Sequence, residues 1–471
     1  MSRPLMLSLS TAAWLAVAAT PAFADAERLE ADLRALFSDK GTLAIGSVDE
    51  ALIRDRVTAE ELVFDSAEGE RLLIERYVVS GDYDSPDEVT VEGVRLEDGL
   101  TELALLEIES LVFGEPSSAV LPLGDHDALD AVTLGSLAID GIALDLASRT
   151  AEEWFAGTPL RNSEGRMTIE KLRGEALSRD AIGWLEITGV DGVGQNLDEL
   201  GDGSFSLASL RLEGLTGLDE EGAEELESLS LNELAVDSDR LVGSLAALVM
   251  TTDLAEHRGE MELDDFRLDL ARMIELAPED ERTQFRMVSN VLTDGSGELM
   301  MDAAFNSAWH EETNIQGPGA QGVLSSDGSI TLHEALALAL VAELPMRLPE
   351  GMEPAALFGD EMLSDVTLLG GELGLTLANE GLFGRMITLG AATEGVSEAA
   401  YLEQVRTQAN GFGMMFGPRV QSLLLGLVAL AEGEASELEI NVTLPANSRF
   451  ESLTEDPLAL PERLDLRVET R

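Results

Sequence analysis

Short runs of alternating apolar and polar residues, separated by Gly, Asp and Asn, fill the chain from about Thr42 to Leu270. This two-residue period is typical of half-buried β-strands. One eight-residue pattern recurs within these runs: apolar, any, apolar, any, any, apolar, any, apolar. The pattern occupies Val89–Leu96, Val132–Ile139, Phe205–Leu212, Leu229–Val236 and Met261–Leu268, with a partial copy at Met167–Leu172.

With strict alternation, the second apolar pair of this pattern would point to the opposite face of the sheet from the first pair. The extra residue in the middle brings both pairs to the same face. A β-bulge has this effect and adds local twist and bend to a strand. The repeats therefore predict a mainly β protein with helices, of the α+β class, built on a long, strongly curved antiparallel sheet of irregular bulged strand repeats. The unequal spacing of the copies favours hairpins with variable loops over a solenoid.

Two early segments carry helical patterns. Residues 25–41 form an N-terminal amphipathic helix that should pack against the sheet. Its apolar positions on one face are Leu29, Leu33, Leu36 and Phe37. Arg240–Met250 is a shorter, apolar helix candidate.

A longer helical region runs from about residue 380 to 432 and contains two breaks. The first break is near Gly395, with Ser397 as the N-cap of the next helix, and the second covers Gly411 to Pro418. Strand candidates stand on both sides of this region. They are Leu336–Leu344 and Leu373–Leu377 before it, and Leu438–Leu444 and Leu464–Val468 after it.

This order predicts helices inserted between strands of one sheet. The chain then divides into a signal peptide (1–24), the N-terminal helix (25–41), a repeated-strand region (42–310) and a C-terminal β region with inserted helices (311–471), the last two sharing one continuous sheet. The inserted helices would lie in the hollow of the sheet, where they either fill it as core or line a ligand cavity. The candidate ligand-binding side chains are Met386, Leu389, Met414, Met415, Phe416, Leu423 and Leu427.

The first 24 residues have the features of a cleaved secretory signal. A basic start at Arg3 precedes an apolar stretch, and Ala22 and Ala24 flank the position expected for signal peptidase. We therefore expect a periplasmic protein whose mature chain begins at Asp25 and contains no transmembrane segment, because no later apolar run is long enough to span a bilayer. The chain has no cysteine, which excludes disulfides, thiolate metal sites and cysteine nucleophiles.

The formal net charge is −60, from 90 acidic and 30 basic residues. Such a surface excludes nucleic acid as a partner, because phosphate binding needs clustered Lys and Arg. It also keeps an exported protein soluble in a saline medium. We expect weak divalent-ion association but no dedicated metal site, since no acidic segment has the ligand spacing of a calcium loop.

Catalytic motifs are missing from the sequence. The four histidines, at positions 126, 257, 310 and 333, are isolated, and there is no nucleophile elbow, phosphate-binding loop or complete dinucleotide fingerprint. Paired carboxylates are too abundant to mark a site. We therefore expect no enzymatic activity, no catalytic residues and no cofactor.

Several features together resemble exported bacterial envelope proteins of the AsmA-like and YdgA-like families. The likeness is diffuse and is carried by segments such as Gly203–Gly214 and Leu375–Arg385, by the export signal and by the late apolar helices. AsmA-like proteins usually keep an N-terminal membrane helix, whereas this chain has a cleavable signal. The resemblance therefore does not extend to a lipid bridge that spans two membranes.

Two functions follow as hypotheses. The first is a periplasmic β-groove protein that binds a hydrophobic ligand, such as a lipid or acyl chain, without catalysis. The second is a non-catalytic envelope scaffold whose sheet is solidly packed and whose partner is another envelope protein. The first hypothesis requires apolar side chains in the hollow of the sheet that stay open to solvent or ligand, whereas the second requires a filled hollow.

Overall fold

The computed structural model describes most of the chain from Ala24 onward. The described residues are 24–38, 40–51, 55–67, 69–121, 132–148, 151, 155, 158, 160, 163–197, 200–219, 224–311, 320–352, 354, 357, 366–449 and 464–471. Residues 1–23, which belong to the predicted signal peptide, lie outside them, and so does His126. The described chain is mainly β with six helices and forms two compact units, divided between Glu225 and Leu226. The regional boundary predicted after residue 310 falls within the strand Glu298–Glu311.

The first unit is an antiparallel meander in which each strand pairs with the next. It begins with helix α1 (Ala24–Phe37). Its strands are β1 (Gly41–Glu50), β2 (Arg56–Ser66), β3 (Glu70–Asp82), β4 (Ser85–Asp98), β5 (Ala104–Gly114), β6 (Leu134–Asp145), β7 (Glu164–Leu177), β8 (Ala181–Gln195) and β9 (Gly203–Thr216).

The N-terminal helix packs on this sheet as the sequence predicted. Leu29, Leu33 and Phe37 of α1 are buried, and the two leucines join one apolar cluster with strand residues such as Val89 and Val91. Burying a leucine side chain contributes about 1.5–3 kcal/mol. The amphipathic face is therefore what fixes the helix to the sheet.

The second unit is also antiparallel and carries the remaining helices. Its elements are β10 (Ser228–Ser238), β11 (Val242–Asp253), β12 (Arg258–Asp269), α2 (Leu270–Leu276), α3 (Arg282–Thr293), β13 (Glu298–Glu311), β14 (Gln321–Leu332), β15 (Leu336–Arg347), β16 (Thr367–Leu368), β17 (Glu372–Asn379), α4 (Leu382–Glu394), α5 (Glu398–Phe416), α6 (Pro418–Glu432), β18 (Glu437–Thr443), β19 (Ser448–Arg449) and β20 (Asp465–Thr470). Strands β10 to β15 pair in chain order, followed by β17, β18 and β20.

The predicted helical insertion is confirmed. Helices α4, α5 and α6 lie between β17 and β18, which pair directly with each other. The first break is at Gly395, which adopts a left-handed conformation, and the Ser397 hydroxyl caps α5 by accepting the Ala400 N–H. The second break is at Gly417 alone, because Gly411 continues helix α5.

The helix predicted at Arg240–Met250 is wrong, because most of this segment belongs to strand β11. Its alanines and leucines favour a helix locally, but both edges of the segment pair with neighbouring strands. The tertiary pairing overrides the local propensity. The sequence also missed helices α2 and α3, which follow β12 directly.

The break in apolar alternation is present in every strand pair of the first unit. A line of nine residues, one on each strand, is skipped in the ladder, and each strand skips the same residue toward both of its neighbours. Strands β6 to β9 each skip a second residue as well, at Gly135, Ala176, Gly183 and Gly214. We call the line that crosses all nine strands the break line. Its residues are Gly46, Glu61, Glu75, Gly93, Glu109, Gly141, Glu170, Gly189 and Ala208.

The break line differs from the predicted β-bulges, but it also keeps the apolar residues before and after it on the same face of the sheet. In β4, Gly93 is left-handed with φ +64°, and Val91 before it and Val94 after it are both buried, as the pattern requires. Because both partners skip one residue, the register is kept and no two-against-one bulge forms there. Such a bulge occurs between β12 and β13, where Asp264 and Asp265 oppose Asp302.

Glycine is required at several break-line positions because a glutamate side chain of a neighbouring strand lies over each of them. A Cβ on Gly93 would lie 2.4 Å from Cγ of Glu75, and a Cβ on Gly141 would lie 2.4 Å from Cγ of Glu109. Both glycines also have positive φ. Backbone conformation and close packing thus exclude larger residues together.

We expect Gly93→Ala to destabilise the protein by about 2 kcal/mol or more, since alanine is disfavoured in a left-handed conformation and its methyl group would displace Glu75. The measurement is the urea midpoint followed by circular dichroism. Gly384→Ala in α4 is the control, because nothing lies within 4 Å of its Cβ position; it should stabilise α4 by up to about 1 kcal/mol. Equal midpoints for the two variants would contradict the role of the break line.

Candidate functional site

The seven candidate residues separate into a packed group and an exposed group. Leu423 and Leu427 of α6 pack against the apolar cluster formed with Leu377 and Leu438. Leu389 and Phe416 are half-buried. Met386, Met414 and Met415 are exposed. The structure thus assigns part of the predicted set to core packing and leaves the rest available for contact.

Two glycines set the layering of the inserted helices. A Cβ on Gly426 of α6 would lie 2.4 Å from the Leu438 side chain of β18, and a Cβ on Gly413 of α5 would lie 2.4 Å from the Gln421 side chain of α6. The Gln421 amide also donates to the Asn410 side-chain oxygen at 2.8 Å. Helix α6 therefore packs on the sheet, and α5 packs on α6.

The end of α5 exposes a small apolar surface. Met414 is 85% exposed, Met415 74% and Phe412 50%. The Phe412 and Phe416 rings stack, with centroids 6.2 Å apart. We call Phe412, Met414, Met415 and Phe416 the hairpin tip, because the chain turns at Gly417 directly after them and enters α6.

A second apolar surface crosses the strands of the second unit. Direct cross-strand pairing joins Leu229 to Met250, Met250 to Met261, and Met261 to Phe305. Phe305 then pairs with Gly328, which pairs with Leu340. We call Leu229, Met250, Met261, Phe305 and Leu340 the apolar row. Opposed residues in a β-ladder share one face of the sheet, so the five side chains form a continuous stripe.

The apolar row includes an exposed residue, Leu340, whose neighbours on the same face of β15 are packed into apolar clusters. On β15, Leu338 packs against the Leu377 and Leu438 cluster, and Ala342 belongs to a second cluster around Met346. Leu340 lies between them and is 37% exposed, and Met250 is 41% exposed. At β15 the row is therefore a gap in the apolar packing of this face. Sequence reasoning missed it, although the copies Leu229–Val236 and Met261–Leu268 supply two of its members.

A polar pocket of about 590 Å³ opens beside α3 and β13. It is lined by Asp294, Ser296, Glu298, Met300, His333, Glu334 and Glu380. The nearby Arg385 guanidinium donates to the carbonyls of Val291 and Glu334 and lies 3.6 Å from the Asp294 carboxylate. Carboxylates dominate the lining, so the pocket disfavours anionic ligands.

His333 finds a partner that its sequence position did not indicate. Its Nε2 lies 2.6 Å from Oδ2 of Asp302, and the other oxygen of Asp302 accepts the Asp265 N–H at 2.8 Å. The Asp265 N–H and then His333 hold the pKa of Asp302 below its usual range. The Ser296 hydroxyl at this pocket donates to the Thr293 carbonyl. The His–Asp pair thus ties the β14–β15 turn to the bulge in β12.

The described residues contain no group of three or more His, Asp or Glu side chains placed to hold a metal ion. Among the same residues, no helix is both long and apolar enough to cross a bilayer.

We expect Asp302→Asn to lower the free energy of unfolding at neutral pH by up to about 1 kcal/mol, the range for solvent-screened pairs. A depressed carboxylate pKa contributes stability above the unfolded value of about 4 and loses it as pH falls through the folded value. The difference from the wild type should therefore shrink as the pH falls below the unfolded value and vanish once Asp302 is protonated in both states. The measurement is urea unfolding from pH 7 downward, with Asp264→Asn, an exposed neighbour on β12, as control. A pH-independent difference would contradict the ionic role.

No protein-family model matches the chain, and no curated protein matches it.

Proposed function

We propose that this chain is an exported, periplasmic β-groove protein that binds a hydrophobic ligand, such as a lipid or acyl chain, without catalysis. The observation that carries the proposal is the apolar row, in which Met250 and Leu340 stay exposed and Leu340 lies between two packed clusters of its face. Water contact at these side chains is unfavourable, and an apolar ligand would relieve it.

The dimensions of the apolar row suit an extended hydrocarbon chain. The row runs from β10 to β15, and neighbouring strands lie about 4.8 Å apart, so its ends are separated by about 24 Å. That length is comparable with a long fatty-acyl chain. The two faces also differ in character, since Val249 on the opposite face pairs with Ser230 and Glu262.

The proposal includes the curved sheet with helices in its hollow and the cleaved leader ending at Ala24. Support for curvature comes from the repeated left-handed residues of the break line, since such irregularities bend strands. Support for export comes from the leader pattern.

A scaffold role is the second candidate function. The hairpin tip favours it, because Met414 and Met415 project from the outer helix of the insertion and an exposed apolar patch often marks a partner site. The apolar row distinguishes the two candidates: a scaffold with a solidly packed sheet would not need it.

We expect the double variant Met250→Gln, Leu340→Gln to weaken palmitate binding by about tenfold or more, because two apolar contacts are replaced by polar ones. The measurement is native mass spectrometry of the protein titrated with palmitate, together with lipid analysis of the wild type purified from its own envelope.

The matched control is Val249→Gln, Val341→Gln. These residues are neighbours of the first pair on the same strands but point to the opposite face, and they are similarly exposed. The control should bind palmitate like the wild type. Absence of palmitate binding by the wild type, or equal loss in both double variants, would overturn the proposal.

A further inference from the structure

We propose that the hairpin tip docks reversibly on the surface of a phospholipid bilayer, with Phe412, Met414 and Met415 entering the interface. This inference rests on the proposed function, because a carrier of acyl chains must exchange them with a membrane. It adds the part of the molecule that makes the contact.

The first argument is electrostatic. Between Glu403 and Glu432 the chain has 28 residues without a single aspartate or glutamate, although it has 90 acidic residues in 471. This stretch includes the whole hairpin tip and most of α6. A chain with a net charge of −60 is repelled by anionic lipid headgroups. Only a surface free of carboxylates approaches such headgroups without that penalty.

The basic residues next to the tip are already neutralised. Arg419 pairs with the Asp465 carboxylate at 3.0 Å, and Arg406 pairs with Glu432 at 2.5 Å. The tip is therefore apolar and nearly neutral rather than cationic. It matches the interfacial region of a bilayer, where aromatic and thioether side chains bury apolar surface without charge attraction.

The second argument is size. Phe412, Met414 and Met415 of the hairpin tip are 50%, 85% and 74% exposed, so at about 200 Å² for a whole large side chain they offer roughly 420 Å² of apolar surface. Half-buried Phe416 contributes less than each of them. The available area thus falls short of the roughly 800 Å² that each partner buries in a stable protein interface. A few inserted side chains are enough for weak, reversible membrane attachment, which suits a carrier.

The third argument is placement. Helix α5 packs on α6 through Gly413, while Phe412, Met414 and Met415 remain exposed. Gln421 and Asn410 fix this face by their hydrogen bond. The tip therefore projects from a supported helix pair, so its contact with a bilayer requires no unfolding of the sheet.

The test is flotation of the full mature chain with vesicles of phosphatidylcholine, alone or mixed with phosphatidylglycerol. We expect the wild type to float with phosphatidylcholine vesicles and less with the anionic mixture at low salt. The double variant Met414→Gln, Met415→Gln should reduce its partition by about tenfold or more. In a Met414→Trp variant, bilayer contact should shift the tryptophan emission to the blue.

The matched control is Met287→Gln, Met386→Gln, which removes two exposed methionines of α3 and α4 and should float like the wild type. Absence of flotation, equal loss in the control, or vesicle-free self-association through the tip would overturn the inference. Palmitate binding separates the two proposals. The tip variant should lose flotation but retain palmitate binding, whereas a wild type that binds palmitate but does not float overturns the tip alone. A wild type that floats but binds no palmitate overturns the proposed function alone.

Discussion

The skipped ladder position is the constraint on which the first unit depends. A single left-handed residue such as Gly93 or Gly141 shifts side-chain alternation by one position, so apolar residues on both sides of it reach the same face. Because each neighbouring strand skips one residue too, the hydrogen-bond register survives on both sides. The sheet thereby keeps one continuous apolar face over strands longer than strict alternation would allow.

The second unit also contains residues that are skipped in the ladder, but their series stops at a β-bulge between β12 and β13. Glu233 and Asp265 are left-handed in their strands, and the series stops at Asp302, whose carboxylate accepts the Asp265 N–H and bonds His333. Strands β13 and β14 then pair without interruption. The hydrogen-bonded Asp302 and His333 thus accompany the return to regular pairing, while the apolar row continues across the other face.

Small residues decide which apolar surfaces are covered. Gly426 lets α6 approach β18, and Gly413 lets α5 approach α6, so the inserted helices cover one end of the apolar face. They leave the apolar row open and place the hairpin tip in the outer layer. A ligand surface and a membrane-contact surface on one unit are consistent with a carrier, and each is proposed from its own exposed residues.

The sequence by itself determined the strand-rich class, the N-terminal helix with Leu29 and Leu33, and the three inserted helices, because these follow from local periodicity, capping and glycine breaks. It also located the broken alternation around Val91 and Val94. Only the tertiary structure decided that Arg240–Met250 pairs largely as a strand, that His333 meets Asp302, and that the five residues of the apolar row align. Those outcomes depend on register between segments distant in the chain, which no local pattern encodes.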